Sequence, residues 1–124
     1  MSEEKPEVEI PEGPAPDELV ITDLVEGHGE EARSGQVVTV HYVGVSHANG
    51  KQFDASWDRG DPFGFALGRG RVISGWDQGV QGMKVGGRRR LVIPPEMAYG
   101  DQGAYPVIGP NETLVFVVDL LAVK

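Results

Sequence analysis

The fold is decided by the stretch Val-Ile-Ser-Gly-Trp-Asp-Gln-Gly-Val-Gln-Gly-Met, residues 72–83. Its larger apolar side chains recur at spacings of three, four and three, which places them on one helical face: Ile73, Trp76, Val80 and Met83. Ser74 is expected to cap this helix, and Asp77 favours its positive end. Each of the three glycines costs about 1 kcal/mol relative to alanine, so the helix requires packing partners. Val80 and Met83 are predicted core residues, whereas Trp76 is either core or the floor of a pocket.

The composition is that of one globular domain of ordinary size. The chain has 124 residues, of which 40% are hydrophobic and 24% charged. A net charge of -8 argues against nucleic acid and anionic membranes as partners. The absence of cysteine excludes disulfides and zinc–thiolate sites. No segment resembles a signal peptide, and no apolar run reaches the roughly 18–20 residues that span a bilayer. We therefore expect a cytoplasmic protein, with a monomer as the default state.

Residues 1–17 have a composition unlike the rest of the chain. They contain six acidic residues and four prolines against a single lysine. Such a segment buries too little apolar surface to offset the entropy lost on ordering, which predicts a flexible acidic arm. Docking to a partner is the alternative role. The folded domain is predicted to span residues 18–124.

From Glu18 onward the apolar residues recur with a period near two, which predicts strands over 19–25, 37–45, 51–55, 63–67, 88–93 and 113–123. Asn49-Gly50 is a strong hairpin signal between the second and third of these. Residues 96–112 have no period, and a loop this long in a compact domain is usually functional or mobile. The pattern predicts an α+β fold, in which an antiparallel twisted sheet of five or six strands wraps around one short α-helix.

The residues contain none of the usual catalytic constellations. Gly44–Lys51 superficially suggests a phosphate loop, but its spacing is one residue too long and Gln52 replaces the required Ser or Thr. The three histidines lack the spacing of a zinc site, so neither a metal nor a cofactor is predicted. Aromatic residues are plentiful around the predicted helix, at Phe53, Phe63, Phe65, Trp76, Tyr99, Tyr105 and Phe116. Each is either core or pocket, and the residues alone predict a domain that binds a small ligand or peptide without a nucleophile.

Eight motifs, in order and at matching spacings, resemble the FKBP family of peptidyl-prolyl isomerases. They are His41-Tyr42-Val-Gly, Gly50-Lys-Gln-Phe53-Asp54-Ala-Ser56, Asp58-Arg59, Pro62-Phe63-Gly-Phe65-Ala-Leu67-Gly68, Val72-Ile73-Ser-Gly-Trp76-Asp-Gln-Gly-Val80, Met83-Lys-Val-Gly86, Ala98-Tyr99-Gly100 and Thr113-Leu114-Val-Phe116-Val. The resemblance runs from about Leu19 to the C-terminus. It implies the fold predicted above, which was reached independently from the periodicity.

The resemblance also implies an activity, the cis–trans rotation of X–Pro bonds in peptides and folding proteins. No covalent bond is made or broken in that reaction, which is consistent with the missing nucleophile. Macrolides of the tacrolimus and rapamycin type are the implied inhibitors, and proline-containing peptides and protein clients are the implied partners. The alternative is an FKBP-fold binding module that acts through protein contacts with little isomerase activity.

The resemblance assigns catalytic roles to Asp54, Tyr42, Trp76, Tyr99 and Phe116. It assigns substrate or inhibitor contacts to Phe53, Arg59, Phe63, Phe65, Val72, Ile73, Ala98 and Ile108. Trp76 is expected under the prolyl ring, and Asp54 near the twisting carbonyl, held by Arg59 and Tyr42 in a buried polar cluster. Arg71 stands where a glutamate is common in the family, and because that residue acts mainly through its backbone, little loss is expected.

Overall fold

A computed structural model describes residues 4–124, which form six strands and two short α-helices. The elements are β1 (Val20–Val25), β2 (Val37–Ser46), β3 (Gln52–Ala55), α1 (Ser56–Arg59), β4 (Phe63–Ala66), α2 (Ser74–Gly79), β5 (Arg88–Ile93) and β6 (Leu114–Val123), with a 3-10 turn at Pro95–Met97. The predicted α+β fold is confirmed, and each predicted strand is present. The single-turn helix α1 was not predicted.

The strands form one antiparallel sheet in the order β1-β5-β6-β2-β3, and β4 also pairs with β2. The two longest strands, β2 and β6, pair over most of their length at the centre, where Gly44 lies opposite Phe116. Successive side chains of a strand point to opposite faces of the sheet, so each central strand contributes residues to two separate hydrophobic clusters, one on each face. Phe116 belongs to the main core on the inner face, while its neighbour Val115 belongs to a second cluster on the outer face.

Two glycines allow α2 to lie against strand β5 on the inner face. A Cβ atom placed on Gly75 would lie 2.5 Å from Cγ2 of Ile93, and one on Gly79 would lie 2.8 Å from Cδ1 of Leu91. Both glycines are therefore contact points between helix and sheet, and not only weak helix formers. Within the predicted apolar stripe, the prediction that Val80 and Met83 are core residues is confirmed, and Trp76 is buried as well, whereas Ile73 is only partly buried. The stripe extends beyond the helix, which ends at Gly79.

Replacing Gly75 with alanine is expected to lower the free energy of unfolding by about 1–3 kcal/mol, because the new methyl group overlaps the side chain of Ile93. That loss exceeds the gain of about 1 kcal/mol in helix propensity. Urea unfolding measures the difference. Gly64→Ala is the matched control, since the nearest atom to its new Cβ is the Val38 carbonyl oxygen at 3.8 Å. Equal effects of the two substitutions would contradict the packing explanation.

The predicted capping of α2 by Ser74 is wrong. The N-cap residue is Ile73, and no side chain caps the helix. Ser74 already lies inside the first turn, and its hydroxyl donates to the Met97 carbonyl at 3.4 Å. The Asp77 carboxylate instead accepts hydrogen bonds from the N–H groups of Gly68 and Gly70, at 2.8 and 2.9 Å. Asp77 thus ties the turn before the helix to the helix itself.

Part of the predicted acidic arm lies against the outer face of the sheet. Val8 and Ile10 pack on the second cluster, together with Trp57. A fully solvated arm would not make these contacts, and Met1–Glu3 lie outside the described residues. The division into an arm and a domain at residue 17 stays a prediction. None of the helices in residues 4–124 has the length and apolar content that a bilayer span requires.

Candidate active site

A cavity of about 230 Å³ opens where the N-terminus of α2 meets the inner face of the sheet. Its lining residues come from five elements and two loops, and they are Tyr42, Phe53, Asp54, Phe63, Arg71, Val72, Ile73, Trp76, Tyr99 and Phe116. Most of them are aromatic or aliphatic, with a few polar groups at one side. This composition is typical of a site that binds an apolar group and orients it with few hydrogen bonds.

Trp76 forms the floor of the cavity. Its side chain is only 4% exposed although it lines the cavity, so it lies at the bottom. Four aromatic rings surround the indole, with centroids 4.9 to 6.1 Å away: Tyr42, Phe116, Phe65 and Phe63. The indole N–H is buried and has no hydrogen-bond partner within the described residues. The floor is therefore apolar and held on its sides by close ring contacts.

The polar side of the cavity is a linked group of three side chains. The Tyr42 hydroxyl donates to Oδ2 of Asp54 at 2.5 Å, and Arg59 donates to the other carboxylate oxygen, Oδ1. Arg59 also donates to the Tyr42 hydroxyl at 2.8 Å, with its guanidinium carbon 5.7 Å from the centre of the tyrosine ring. Two donors therefore hold both oxygens of the Asp54 carboxylate in one orientation.

The prediction that this polar cluster is buried holds for Tyr42, which is 7% exposed, and is wrong for Asp54 and Arg59. The side chain of Asp54 is 41% exposed and that of Arg59 is 49% exposed. Strand β3 lies at the end of the sheet and α1 follows it directly, so solvent reaches both side chains. An ion pair this exposed contributes little to stability. Its main effect is to orient the carboxylate at the mouth of the cavity.

Two tyrosine hydroxyls at the site are held in the protonated form. Burial, and then the hydrogen bond to the Asp54 carboxylate, raise the pKa of Tyr42, with donation from Arg59 acting in the opposite direction. Burial, and then the negative charge of Asp54, raise the pKa of Tyr99. Both groups therefore remain hydrogen-bond donors well above neutral pH.

Gly44 shapes the wall of the cavity, a role that the sequence did not reveal. The rings of Phe53 and Phe116 meet edge to face at a centroid distance of 5.5 Å. A Cβ atom on Gly44 would lie 2.6 Å from an atom of each ring, so only glycine allows both rings their positions. A glycine inside a predicted strand is a general sign of close approach, and that sign was present here.

The structure brings together nine of the thirteen predicted site residues in the cavity lining, and it adds Arg71. Arg59 acts behind Asp54, as described above. Phe65 is buried behind Phe63, with the two rings stacked at 5.5 Å. Ile108 is part of the main core, and Ala98 is a partly buried residue that packs against this core. The assigned roles of these residues toward a ligand stay predictions.

Comparisons with known proteins agree with this geometry. The sequence profile of the FKBP-type peptidyl-prolyl cis-trans isomerases matches residues 28–121. The chain is 62% identical over 124 residues to the FK506-binding protein of Streptomyces anulatus, covering 99% of this chain and 100% of that protein. The chain belongs to the FKBP family. A probable FK506-binding protein of Corynebacterium glutamicum is 54% identical, with 96% of this chain and 98% of that one covered.

Solved structures of FKBP proteins have the same fold as this FKBP. The crystal structure of AtFKBP13 has a TM-score of 0.81 and 43% identity, covering 89% of this chain and 96% of that one. FkpA from Escherichia coli has a TM-score of 0.78 and 47% identity, covering 86% of this chain and 48% of that one. The protein is therefore a peptidyl-prolyl cis–trans isomerase.

Proposed function

We propose that the cavity takes the proline ring of an X–Pro bond over Trp76 and speeds its rotation without any covalent intermediate. The observation that carries this proposal is the cavity lining, which combines an aromatic floor and walls with one oriented carboxylate. Among residues 4–124, those that line the cavity include no serine, cysteine or lysine that could act as a nucleophile. The uncatalysed barrier is about 18–20 kcal/mol, and rotation takes tens to hundreds of seconds.

The apolar walls would act on the polarity of the peptide bond. Amide resonance is lost when the bond is twisted by a quarter turn, so the twisted form is less polar than the planar ground state. An apolar cavity therefore favours the twisted form over the planar one, and each ~1.4 kcal/mol of difference gives about tenfold in rate. Trp76, Phe53 and Phe116 are the side chains that would provide this environment.

The polar groups would orient the substrate carbonyls. Asp54 would face the carbonyl that turns, and because Tyr42 and Arg59 already hold its orientation, less reorganisation would be needed during rotation. Tyr99 also lines the cavity, and its hydroxyl would donate to a second carbonyl. The Ile73 backbone N–H would serve as a further donor at the start of α2.

Isomerase activity is expected to stay constant from about pH 7 to about pH 9. Because the pKa values of Tyr42 and Tyr99 are raised above the ordinary tyrosine value of about 10, both hydroxyls stay protonated throughout this range. Loss of a proton would begin only as the pH rises through those raised values. Measuring kcat/KM for a short X–Pro peptide across this range tests the expectation. A fall by half below pH 9 would show that another ionising group controls the rate.

Macrolides of the tacrolimus and rapamycin type would compete with substrate for the same cavity. The support is the 62% identity to a protein whose name describes binding of FK506. Drug-sized ligands occupy pockets of about 300–1,000 Å³, larger than this one. Only one ring of a macrolide would therefore enter over Trp76, and the rest would lie across the rim formed by Phe53 and Tyr99.

Exchange NMR on a short X–Pro peptide tests the isomerase proposal directly. The exchange rate should rise in proportion to added protein and return to the buffer rate when tacrolimus is added in excess. A rate equal to that in buffer, with protein shown to be folded by its own spectrum, would contradict the proposal and favour the binding-module alternative. Binding of the peptide without a faster exchange rate would likewise favour the binding-module alternative.

The setting in which the enzyme acts is also part of the proposal. We expect a cytoplasmic monomer that acts on proline-containing peptides and folding proteins and binds neither nucleic acid nor membrane. The support is the net charge of -8 and the absence of a basic surface motif in the sequence. Sedimentation and cell fractionation measure the oligomeric state and the location.

A further inference from the structure

The sheet has a second apolar cluster on the face opposite the proline cavity. We call it the outer cluster, and it consists of Val43, Val45, Ala55, Val92 and Val115. Each of these residues is at most 6% exposed, although α2 lies on the opposite, inner face of the sheet. The cover comes from Trp57 of α1 and from the N-terminal part of the chain.

Residues 5–10, which we call the strap, lie over the outer cluster as an extended segment. Exposure alternates along the strap: Pro6, Val8 and Ile10 are partly buried, while Lys5, Glu7 and Glu9 are exposed. Val8 and Ile10 pack on the outer cluster, and Ile10 reaches the hairpin tip, where a Cβ on Gly50 would lie 3.4 Å from its Cδ1. The strap thus presents every second side chain to the sheet, as a strand would.

The contacts between the strap and the rest of residues 4–124 are made by side chains. Lys5 donates to Asp58 Oδ1 at 2.8 Å, and Gln52 donates to the other oxygen of the same carboxylate at 2.7 Å. Lys5 and Asp58 are 39% and 50% exposed, so this ion pair is weak. Within the described part of the chain, no backbone–backbone hydrogen bond joins residues 5–18 to the sheet. Because the strap is held by these side-chain contacts, we expect another peptide segment with the same alternation of apolar and polar residues to displace it readily.

We propose that the outer face of the sheet is a second segment-binding surface, which the strap occupies within its own chain. Its partner is an extended segment of another protein that carries apolar residues at alternating positions after a lysine or arginine. The strap itself is the example seated on the surface: Val8 and Ile10 fill the apolar positions, and Lys5 meets Asp58. An unfolded client of the isomerase carries many such segments, and they would bind on the side away from the catalytic cavity.

The test uses the full chain with Val8→Ser and Ile10→Ser, which removes both apolar contacts of the strap. Glu7→Ser with Glu9→Ser is the matched control, because it changes the exposed side of the same segment. The probe is the synthetic peptide Lys-Pro-Glu-Val-Glu-Ile, and the readout is the methyl NMR signals of Val43, Val45 and Val115. The variant with Val8→Ser and Ile10→Ser should bind the peptide at least about tenfold more tightly than the control variant. In the control, the strap still occupies the outer cluster and, because it is tethered, competes with the peptide at a high effective concentration.

Three results would overturn the proposal. They are equal affinity of the peptide for the two variants, equal binding of a peptide with serine in place of its valine and isoleucine, and shifts at the Trp76 indole instead of the outer methyl groups. Dimer formation in sedimentation without peptide binding would also overturn it, because the surface would then serve a second copy of this chain.

A milder variant covers the case in which the double substitution does not fold. Lys5→Glu places a like charge beside Asp58 and leaves both apolar contacts intact. It should strengthen peptide binding by no more than about fivefold, the range of an exposed ion pair, and no change would count against the proposal. The rate of short-peptide isomerisation should be unchanged in all these variants, since the strap does not line the cavity. The isomerase proposal is therefore tested by the isomerisation rate, and the proposal for the outer face is tested by peptide binding, so that either can fail without the other.

Discussion

Replacing Trp76 with alanine lowers kcat/KM for a short X–Pro peptide by about a hundredfold or more, which corresponds to at least about 2.7 kcal/mol of transition-state stabilisation. The substitution removes the floor on which the prolyl ring would rest. It also removes the common contact of four aromatic rings, so the walls formed by Tyr42 and Phe116 lose their support. Burial of Trp76 is nearly complete, and the free energy of unfolding should fall by about 3–5 kcal/mol.

The kinetic and structural effects of this substitution are separable. Leu120→Ala is the matched control, because Leu120 is fully buried in the same core but does not line the cavity. It should cost about 2–5 kcal/mol of stability while kcat/KM stays within about twofold. Chemical unfolding and exchange NMR at the same temperature give both quantities. A comparable loss of kcat/KM in both variants would mean that Trp76 serves only the core.

Replacing Asp54 with asparagine lowers kcat/KM by about tenfold to a hundredfold while preserving the shape of the side chain. The variant loses the negative charge that is proposed to act on the twisting carbonyl, and Arg59 loses its carboxylate partner. Stability should change by less than about 1 kcal/mol, since the Asp54–Arg59 pair is nearly half exposed. The loss should fall mainly on kcat, because the charge acts on the twisted form more than on bound substrate.

Asp61→Asn is the control for the charge substitution. Asp61 is an exposed carboxylate that follows α1, and it does not line the cavity. Its replacement changes the net charge of the protein equally and should leave kcat/KM unaltered. If the Asp54 variant retained full activity, the carboxylate would be needed only to position Tyr42 or not at all.

The strands could be predicted because their alternation is local. Arg88–Ile93 was predicted at its observed bounds, and β6 alternates as its predicted period of two requires, with Leu114, Phe116, Val118 and Leu120 in the main core. A single turn such as α1 has four residues and no repeat, so periodicity cannot reveal it. Capping by Ser74 was predicted wrongly because helix ends depend on backbone angles that a pattern locates only within a residue or two.

The site was harder to predict because its geometry depends on contacts distant in sequence. Tyr42, Asp54 and Arg59 come together only when β2, β3 and α1 pack, and the resemblance to a family supplied that information. The exposure of Asp54 depends on the position of β3 in the sheet, which composition does not reveal. Gly44 matters only because two phenylalanines meet beside it, and they are Phe53 and Phe116.

The N-terminal segment shows the limit of composition as a guide. Its acidic residues and prolines predicted a solvated arm, and that average concealed the alternation of Val8 and Ile10 with two glutamates. Two apolar side chains are enough to hold a short segment against the sheet when an apolar cluster lies beneath it. The alternation of apolar and polar residues within a six-residue segment therefore carries information that the average composition of residues 1–17 does not show.

The alternation along β6 has a consequence for insertions and deletions. Phe116 lines the catalytic cavity while Val115, one residue earlier, lies under the strap. Adding or removing one residue in this strand would reverse every side chain beyond that point. Both surfaces would fail together, although neither contacts the other. An added residue in the loop between Gly100 and Pro110 would leave both surfaces in register, so length variation in such chains should be confined to loops of this kind.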